Sequence, residues 1–162
     1  MLNYKINIYF KIIFFISLIS IISAFFIEYV LGHQPCNLCL LERIQYGLSI
    51  ILIILNYFLK KNEYFFILLL ILIFSFSVIL SFYHLGIEQG FFEESMLCEA
   101  QNTSGFISKE ELLKQLQVKN VSCKDVTFRI FGFSLTTINI ILSLFLTIIL
   151  TKIFLNYEKF KN

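Results

Sequence analysis

Four long apolar stretches constrain the fold of this chain more than any other feature. They cover residues 12–31, 38–59, 64–83 and 131–155. A helix needs about 20 mostly apolar residues to cross a hydrocarbon core of about 30 Å, and each stretch is long enough. The 162 residues are 58% hydrophobic and 15% charged, whereas soluble domains average about 45–50% and about 25%. The sequence therefore predicts an all-α membrane protein, a single domain built as a four-transmembrane-helix bundle.

The first stretch follows two lysines, Lys5 and Lys11, as the apolar region of a signal peptide would. It is too long for such a region, and no A-x-A cleavage site follows it. We therefore expect a retained first helix.

Lysines near the predicted helix ends indicate the orientation, because Lys and Arg favour the cytoplasmic side. They are Lys5, Lys11, Lys60, Lys61, Lys152, Lys159 and Lys161. We therefore expect both termini and the 60–63 turn in the cytoplasm. The 32–36 turn and a long loop at residues 88–129 are then periplasmic. The net charge of +2 is too small to indicate a nucleic-acid-binding protein.

The long loop carries one local signal for secondary structure. Residues 108–111 fit a capping box, and leucines follow on one face of a short predicted helix. That helix could lie on the membrane surface or pack against the rest of the loop.

The four cysteines form two groups that this topology places on the periplasmic face. Cys36 and Cys39 form a Cys-x-x-Cys motif at the start of the second stretch, and Cys98 and Cys123 lie in the long loop. Disulfides persist in an oxidising compartment. Two dithiols on one side of a bilayer suggest that electrons pass from one pair to the other.

The surroundings of the Cys-x-x-Cys motif favour thiolates. Cys36 should lie at or just before the first turn of helix two, where free N–H groups and the helix dipole stabilise a negative charge. Arg43 lies one turn after Cys39 on the same face, so its charge favours Cys39 as the thiolate. Glu42 beside Arg43 should reduce the cost of a membrane-embedded arginine. Arg43 alone could equally be an interfacial residue without chemistry.

Other interpretations of the cysteines remain open at this point. Cys98 and Cys123 could form a purely structural disulfide. A four-cysteine zinc site is less favoured, because such sites present two close pairs and only one is present here. A c-type haem site is disfavoured, because Leu40 rather than histidine follows Cys39.

Three polar residues near the same ends of the helices are further candidates. His84 ends the third stretch, one turn before Glu88, where it could donate a hydrogen bond to a cofactor carbonyl. An interfacial histidine without a ligand is the more common case. His33 is a weaker candidate, and Glu28 is a functional candidate as an intramembrane acid.

Ordered motifs along nearly the whole chain resemble the bacterial disulfide bond formation protein B (DsbB) family. They are Pro35-Cys36-x-Leu38-Cys39-x-x-Glu42-Arg43, Tyr83-His84-x-Gly86-Ile87-Glu88-Gln89-Gly90, Cys98, Cys123 and Phe131-Gly132-Phe133-Ser134-Leu135. Cys-x-x-Cys alone is a weak signal, whereas the ordered set is strong.

The resemblance implies a membrane oxidase that reoxidises a periplasmic thioredoxin-like, DsbA-type dithiol oxidase and reduces a quinone, ubiquinone or menaquinone. Cys98 matches the cysteine that forms the mixed disulfide with the partner, and Cys123 matches its loop mate. Cys36 and Cys39 match the quinone-coupled pair, with Cys39 as the thiolate in contact with quinone.

The resemblance also places Arg43 and His84 beside the quinone and implies the bacterial inner membrane. We expect no bound metal, because the cysteine spacing does not favour one. Three rival functions are a membrane protein with two structural disulfides, a reductase that runs electrons outward, and a paralogue dedicated to one substrate-specific oxidant. The reductase is disfavoured, because in the related vitamin K epoxide reductases the Cys-x-x-Cys follows the loop pair.

Overall fold

Among the residues that the structure describes, four long helices form a bundle and one short hairpin precedes the last of them. The computed structural model describes residues 2–59, 63–93, 98, 122–124, 128–130 and 132–157. The helices are α1 (Leu2–Tyr29), α2 (Asn37–Leu59), α3 (Glu63–Glu88) and α4 (Leu135–Leu155), and strands β1 (Arg129–Ile130) and β2 (Phe133–Ser134) pair antiparallel. Each helix is long and apolar enough to span a membrane. The predicted four-helix membrane fold is confirmed.

Helix α1 begins at Leu2 rather than at residue 12. Ile6, Phe10 and Ile13 are at most 5% exposed and lie in the central apolar cluster. Their spacing of four and three residues continues one helix face, so the helix starts well before the predicted membrane span.

Helix α3 continues to Glu88 rather than ending at residue 83. The N–H of Gln89 still donates to the carbonyl of Leu85 at 2.9 Å. The chain leaves the helix at Gly90, whose φ of +78° is the left-handed conformation that glycine adopts easily. The extra turn keeps Glu88 on the helix that carries His84.

Helix α4 begins at Leu135 rather than at residue 131, because the preceding residues form the β1–β2 hairpin. Gly132 lies between the two strands with a φ of +87°. The hydroxyl of Ser134 caps the helix by accepting from the N–H of Thr137 at 3.2 Å.

The helices pack as neighbours in the order α1, α2, α3 and α4. Serine hydroxyls pair at two of the contacts, Ser49 with Ser17 and Ser77 with Ser143, each at 2.9 Å. Small hydroxyl residues let membrane helices approach closely and satisfy each other inside the bundle. They hold α1 to α2 and α3 to α4 beneath the cysteine motif.

Several sequence predictions fall on other parts of the chain. The structure does not describe Lys60, Lys61, the short loop helix predicted after the capping box at 108–111, or most of the 88–129 loop.

Candidate functional site

The Cys-x-x-Cys motif occupies the N-terminal end of α2, as predicted. Cys36 immediately precedes the helix, and its carbonyl accepts from the N–H of Leu40 at 3.1 Å. The two sulfurs lie 2.8 Å apart and both cysteines are free. The N–H of Cys39 points at Cys36 Sγ at 3.3 Å. The first turn of the helix thus supplies a backbone donor to one sulfur of the pair.

His84 reaches this pair from α3. Its Nε2 lies 3.5 Å from Cys36 Sγ, and its Nδ1 lies 3.2 Å from Glu42 Oε1. His84 is 1% exposed. A thiol, an imidazole and a carboxylate therefore stand in line, with the imidazole in the middle.

A second carboxylate approaches the same imidazole. Glu88 Oε1 lies 4.0 Å from His84 Nε2 and accepts a hydrogen bond from Thr136 Oγ1 at 2.5 Å. That hydroxyl is also 3.3 Å from His84 Nδ1. The other oxygen of Glu88 is buried without a hydrogen-bond partner among the described residues. An unpartnered buried carboxylate oxygen is costly, which marks this position as polar and available to a ligand.

These contacts act most strongly on Cys36. The hydrogen bond from the Cys39 thiol, followed by the contact with His84, lowers the pKa of Cys36 to about 4, although burial opposes the change. The position of Arg43 one turn after Cys39 predicts Cys39 as the thiolate. In the structure the groups that stabilise a negative sulfur gather instead around Cys36.

Arg43 has a different partner from the one predicted. Its guanidinium forms an ion pair with Glu28 of α1 and donates to the carbonyl of Ala24 at 3.3 Å. Glu42, expected to offset the arginine, turns toward His84 instead. Adjacent residues on a helix point about 100° apart, so Glu42 and Arg43 face different neighbours. Glu28, a functional candidate from its place within the membrane, is the residue that holds Arg43.

The two loop cysteines are joined to each other and packed against the motif. Cys98 and Cys123 form a disulfide with a Cα–Cα distance of 6.0 Å. Cys123 is 3% exposed and belongs to one buried cluster with Cys36, whereas Cys98 is only partly buried. The four sulfurs are therefore not arranged as a single four-cysteine zinc site.

A cavity of about 320 Å³ opens beside these groups. Its walls include Cys36, Cys39, Cys123, Arg43, His84 and Glu88. Apolar residues of α1 and α4 also line it, among them Ile21, Ala24, Ile27 and Leu142. Small-molecule sites are typically about 300–1,000 Å³, mostly apolar with a few convergent polar groups, and this cavity fits that description.

Comparison with known proteins identifies the family. Residues 7–153 match the family model described as disulfide bond formation protein DsbB. This chain belongs to the DsbB family. It is also 32% identical over 137 residues to an uncharacterized protein of Rickettsia prowazekii (strain Madrid E), covering 83% of this chain and 80% of that protein. The family and the four spanning helices make this an integral inner-membrane protein with disulfide oxidoreductase activity in disulfide bond formation.

The structure brings most of the predicted site residues of this DsbB-family chain together. Cys36, Cys39, Cys123, Arg43 and His84 all line the cavity, and Cys98 is linked to it through the disulfide. His33 also lines the cavity, and its ring lies 5.1 Å from the ring of Phe128.

Sequence reasoning missed three partners of His84. Glu42 was assigned to Arg43, Glu88 was noted only for its spacing, and Thr136 was not considered. The signal for Glu88 was present, because it lies four residues after His84 and hence on the same helix face. No local pattern indicated Thr136, which comes from α4.

Proposed function

We propose that this protein is a quinone-reducing thiol oxidase that reoxidises a periplasmic DsbA-type partner. One observation carries the proposal: cysteines of both pairs line one cavity that also contains Arg43 and His84. A structural disulfide does not require a second, free dithiol and a histidine beside it. A two-disulfide relay requires all of these groups in contact.

The loop disulfide is suited to face a protein partner through Cys98. Cys98 is partly buried, whereas Cys123 is 3% exposed, so an incoming thiolate reaches Cys98 more easily. Its attack forms a mixed disulfide at Cys98 and releases Cys123 as a thiolate. The second partner thiol then breaks the mixed disulfide, which leaves the partner oxidised and the loop pair reduced.

Electrons then pass from the loop pair to the Cys-x-x-Cys pair. Cys123 and Cys36 lie in the same buried cluster, so the Cys123 thiolate can attack Cys36 Sγ of an oxidised Cys36–Cys39 pair. That step breaks the Cys36–Cys39 bond and releases Cys39 as a thiolate beside the cavity. Attack by Cys98 on Cys123 restores the loop disulfide and leaves Cys36 and Cys39 reduced.

This order of exchange steps gives each of the two candidate thiolates, Cys36 and Cys39, a place in the reaction. In the reduced pair the stabilising contacts lie on Cys36. While Cys36 is bonded to Cys123, Cys39 carries the released charge. Arg43 lies one turn after Cys39 and lines the same cavity, so it can stabilise that charge, as the helix spacing predicts.

The cavity fits a quinone headgroup. Its size and apolar walls suit a flat ring, and its arginine can donate to a ring carbonyl. The ring nitrogens of His84 face Cys36 and Glu42, so His84 serves the site by holding a proton beside the cavity. Arginine has five N–H donors, and its contacts with Glu28 and Ala24 fix its direction. A bound quinone would supply a two-electron, two-proton acceptor for the Cys36–Cys39 pair.

The residues of the site can also supply the protons. A reduced pair that holds one thiol and one thiolate carries a single proton, whereas quinol formation consumes two. His84 lies between Cys36, Glu42 and Glu88, so it can hold the second proton at a ring nitrogen. Closure of the Cys36–Cys39 bond then releases two electrons, with one proton from Cys39 and one from His84.

The proposed topology places both termini and the 60–63 turn in the cytoplasm and all four cysteines on the periplasmic face. The support is the lysine distribution and the location of both cysteine pairs at the same end of the bundle. Reporter fusions after residue 61 and at the C-terminus test this assignment. Periplasmic activity of either fusion would contradict it.

Purified protein, a reduced thioredoxin-fold partner and ubiquinone or menaquinone in detergent provide the direct test. We expect the quinone absorbance to fall in proportion to the partner disulfide formed. A protein whose Cys36–Cys39 pair cannot be oxidised by either quinone would refute the proposal.

A further inference from the structure

We infer that the reduced Cys36–Cys39 pair and His84 form a binding site for one thiophilic divalent cation, for which zinc and cobalt(II) are the probes. The two sulfurs and a ring nitrogen of His84 all lie within 4.8 Å of one another. The site overlaps the proposed redox centre but requires neither quinone nor partner protein.

The geometry is close to that of a tetrahedral zinc site. With Zn–S near 2.3 Å and Zn–N near 2.0–2.1 Å, a tetrahedral ion places sulfur and nitrogen about 3.6 Å apart and two sulfurs about 3.8 Å apart. Cys36 Sγ and His84 Nε2 are already 3.5 Å apart. The two sulfurs, now 2.8 Å apart, need to separate by about 1 Å, which a small rotation of the Cys39 side chain provides.

Groups around His84 match the usual outer shell of a metal site. A metal-bound histidine commonly gives its other ring nitrogen to a carboxylate, which fixes the tautomer and the ring orientation. Here Nδ1 faces Glu42 Oε1 at 3.2 Å, while Nε2 faces Cys36. With the proton on Nδ1, the lone pair of Nε2 points toward the sulfurs.

A fourth ligand position is available on the cavity side. Glu88 lines the cavity, its Oε1 lies 4.0 Å from His84 Nε2, and its Oε2 has no partner among the described side chains. Either this carboxylate or a water molecule in the cavity can complete four-coordination. The unpartnered oxygen is an independent sign of an unfilled polar position.

Metal binding at this site depends on the redox state. Zinc binds both sulfurs as thiolates and Nε2 of a neutral His84 ring, so it displaces the proton of Cys39 and any second proton that the ring holds, with no change in oxidation state. Formation of the Cys36–Cys39 disulfide removes both sulfur donors. The metal and the disulfide therefore exclude each other, and a bound cation holds the pair reduced and inactive.

Cobalt(II) titration of the full chain in detergent, reduced with a phosphine, tests the inference. Thiolate-to-cobalt charge transfer reports sulfur ligands, and the visible bands report four-coordination. We expect saturation at one cobalt per reduced chain, displacement by zinc, and no band after oxidation of Cys36 and Cys39. Binding of equal strength to the oxidised protein, or no binding to the reduced one, would overturn the site.

Matched variants identify the ligands. His84→Gln should weaken binding at least tenfold, whereas His33→Gln, a second histidine of the cavity, should leave it unchanged. His84→Cys should restore binding with a stronger charge-transfer band, because a third sulfur replaces the nitrogen. Loss of binding in both His84 variants would show that the ring acts only in packing and would overturn its role as a ligand.

Further controls separate this site from the loop and from the proposed function. The Cys98→Ser, Cys123→Ser double variant should retain full cobalt binding, and loss of binding there would overturn the assignment. Quinone reduction measured without metal reports independently on the oxidase, so the metal site can fail while the oxidase stands.

Discussion

The two cysteine pairs lie in one buried cluster but are built in different ways. Cys36 and Cys39 are separated by one helical turn, and a backbone N–H and His84 surround the Cys36 sulfur. Cys98 and Cys123 are 25 positions apart, one partly buried and one almost fully buried. The first pair is arranged to stabilise a negative sulfur, and the second to present one sulfur outward and the other inward.

This difference suggests the direction of electron flow. A lowered thiolate pKa stabilises the reduced form of a pair and makes its disulfide the stronger oxidant. The contacts at Cys36 therefore favour transfer from the loop pair to the Cys-x-x-Cys pair. The difference between the pairs is testable by changing one pair at a time.

Loss of Cys39 should give the largest effect. Cys39→Ser prevents the Cys36–Cys39 bond from forming, so quinone reduction should fall by a factor on the order of 10³ or more. The loop disulfide remains, and a partner carrying a single reactive cysteine should still be trapped at Cys98. Quinone absorbance and a non-reducing gel measure the two outcomes.

The matched variant of the other pair is Cys123→Ser. It should also stop turnover, yet leave the Cys36–Cys39 pair able to be oxidised by quinone. Normal turnover of Cys39→Ser would contradict the relay model. If quinone no longer oxidises the Cys36–Cys39 pair in Cys123→Ser, the two pairs do not have separate functions.

The pH dependence of the Cys36 thiolate should give the next largest effect. Its pKa of about 4 lies far below the ordinary value of about 8.5, so at pH 6 its thiolate population is about 300 times that of an ordinary cysteine. At pH values above the pKa that Cys36 has in the unfolded chain, its thiolate makes its full contribution to the stability of the reduced fold. This contribution is lost as the pH falls toward 4. The ultraviolet absorbance of the thiolate, followed against pH in a variant without Cys98 and Cys123, measures the pKa of Cys36.

Two substitutions at one position isolate the cause of that pKa. Cys39→Ala removes the side-chain donor to Cys36 and should raise its pKa by several units toward 8.5. Cys39→Ser keeps an O–H donor and should raise it less. Identical titrations for both variants would show that the Cys39 side chain is not the main cause.

The sequence predicted the helices and the cysteines better than it predicted side-chain partners. Long apolar stretches indicate membrane helices because the bilayer thickness sets their length. The Arg43–Glu28 pair joins α2 to α1, whereas Glu42 was the acid adjacent in sequence. Which acid faces Arg43 depends on how the helices are rotated against each other. A single sequence carries no pattern for that rotation.

The exact helix boundaries were also not predictable from the sequence alone. The N-terminal extension of α1 and the hairpin before α4 depend on contacts and on a glycine with positive φ, which a hydropathy pattern does not contain. His84 was found because it stands in a motif at a helix end. Thr136 was not, because only packing of α4 against α3 brings it to His84.

Changes at Arg43 should have a smaller effect, confined to quinone use. Arg43→Ala removes charged donors from the cavity, and each hydrogen bond to a charged group contributes about 1.5–3 kcal/mol. We expect the apparent KM for quinone to rise about tenfold or more, with trapping of the partner at Cys98 unchanged. Arg129→Ala, at the exposed arginine of β1, is the control and should leave both unchanged.

Substitutions of Glu28 and Glu42 test which of the two glutamates positions Arg43. Glu28→Gln removes the ion pair that orients Arg43 and should raise the KM for quinone in the same direction. Glu42→Gln acts on His84 instead, so it should change the Cys36 titration more than the KM. The reverse result for the two variants would restore Glu42 as the partner of Arg43.

We expect the smallest effect from changes to the turn at the end of α3, which leads from the Cys36–Cys39 site toward Cys98. Gly86 lies on α3 two residues after His84, and the ring of Phe92 covers it, so a methyl group at residue 86 would overlap that ring. The Phe92 ring also stacks on Tyr83 at 5.6 Å, and the N–H groups of Phe91 and Phe92 donate to the Gly86 carbonyl. This turn therefore sets the direction in which the chain leaves α3 toward Cys98.

Gly86→Ala should displace Phe92 and destabilise the fold by about 1–3 kcal/mol, measured by thermal unfolding in detergent. Partner turnover should fall a few-fold because Cys98 is displaced, whereas the Cys36 titration should not change. Gly47→Ala is the matched control, because nothing lies within 4 Å of its added methyl and alanine favours a helix by about 0.5–1 kcal/mol. If both glycine variants shift stability in the same direction, the Phe92 contact does not fix the turn. If Gly86→Ala changes the Cys36 titration, the two cysteine pairs are less independent than their different construction indicates.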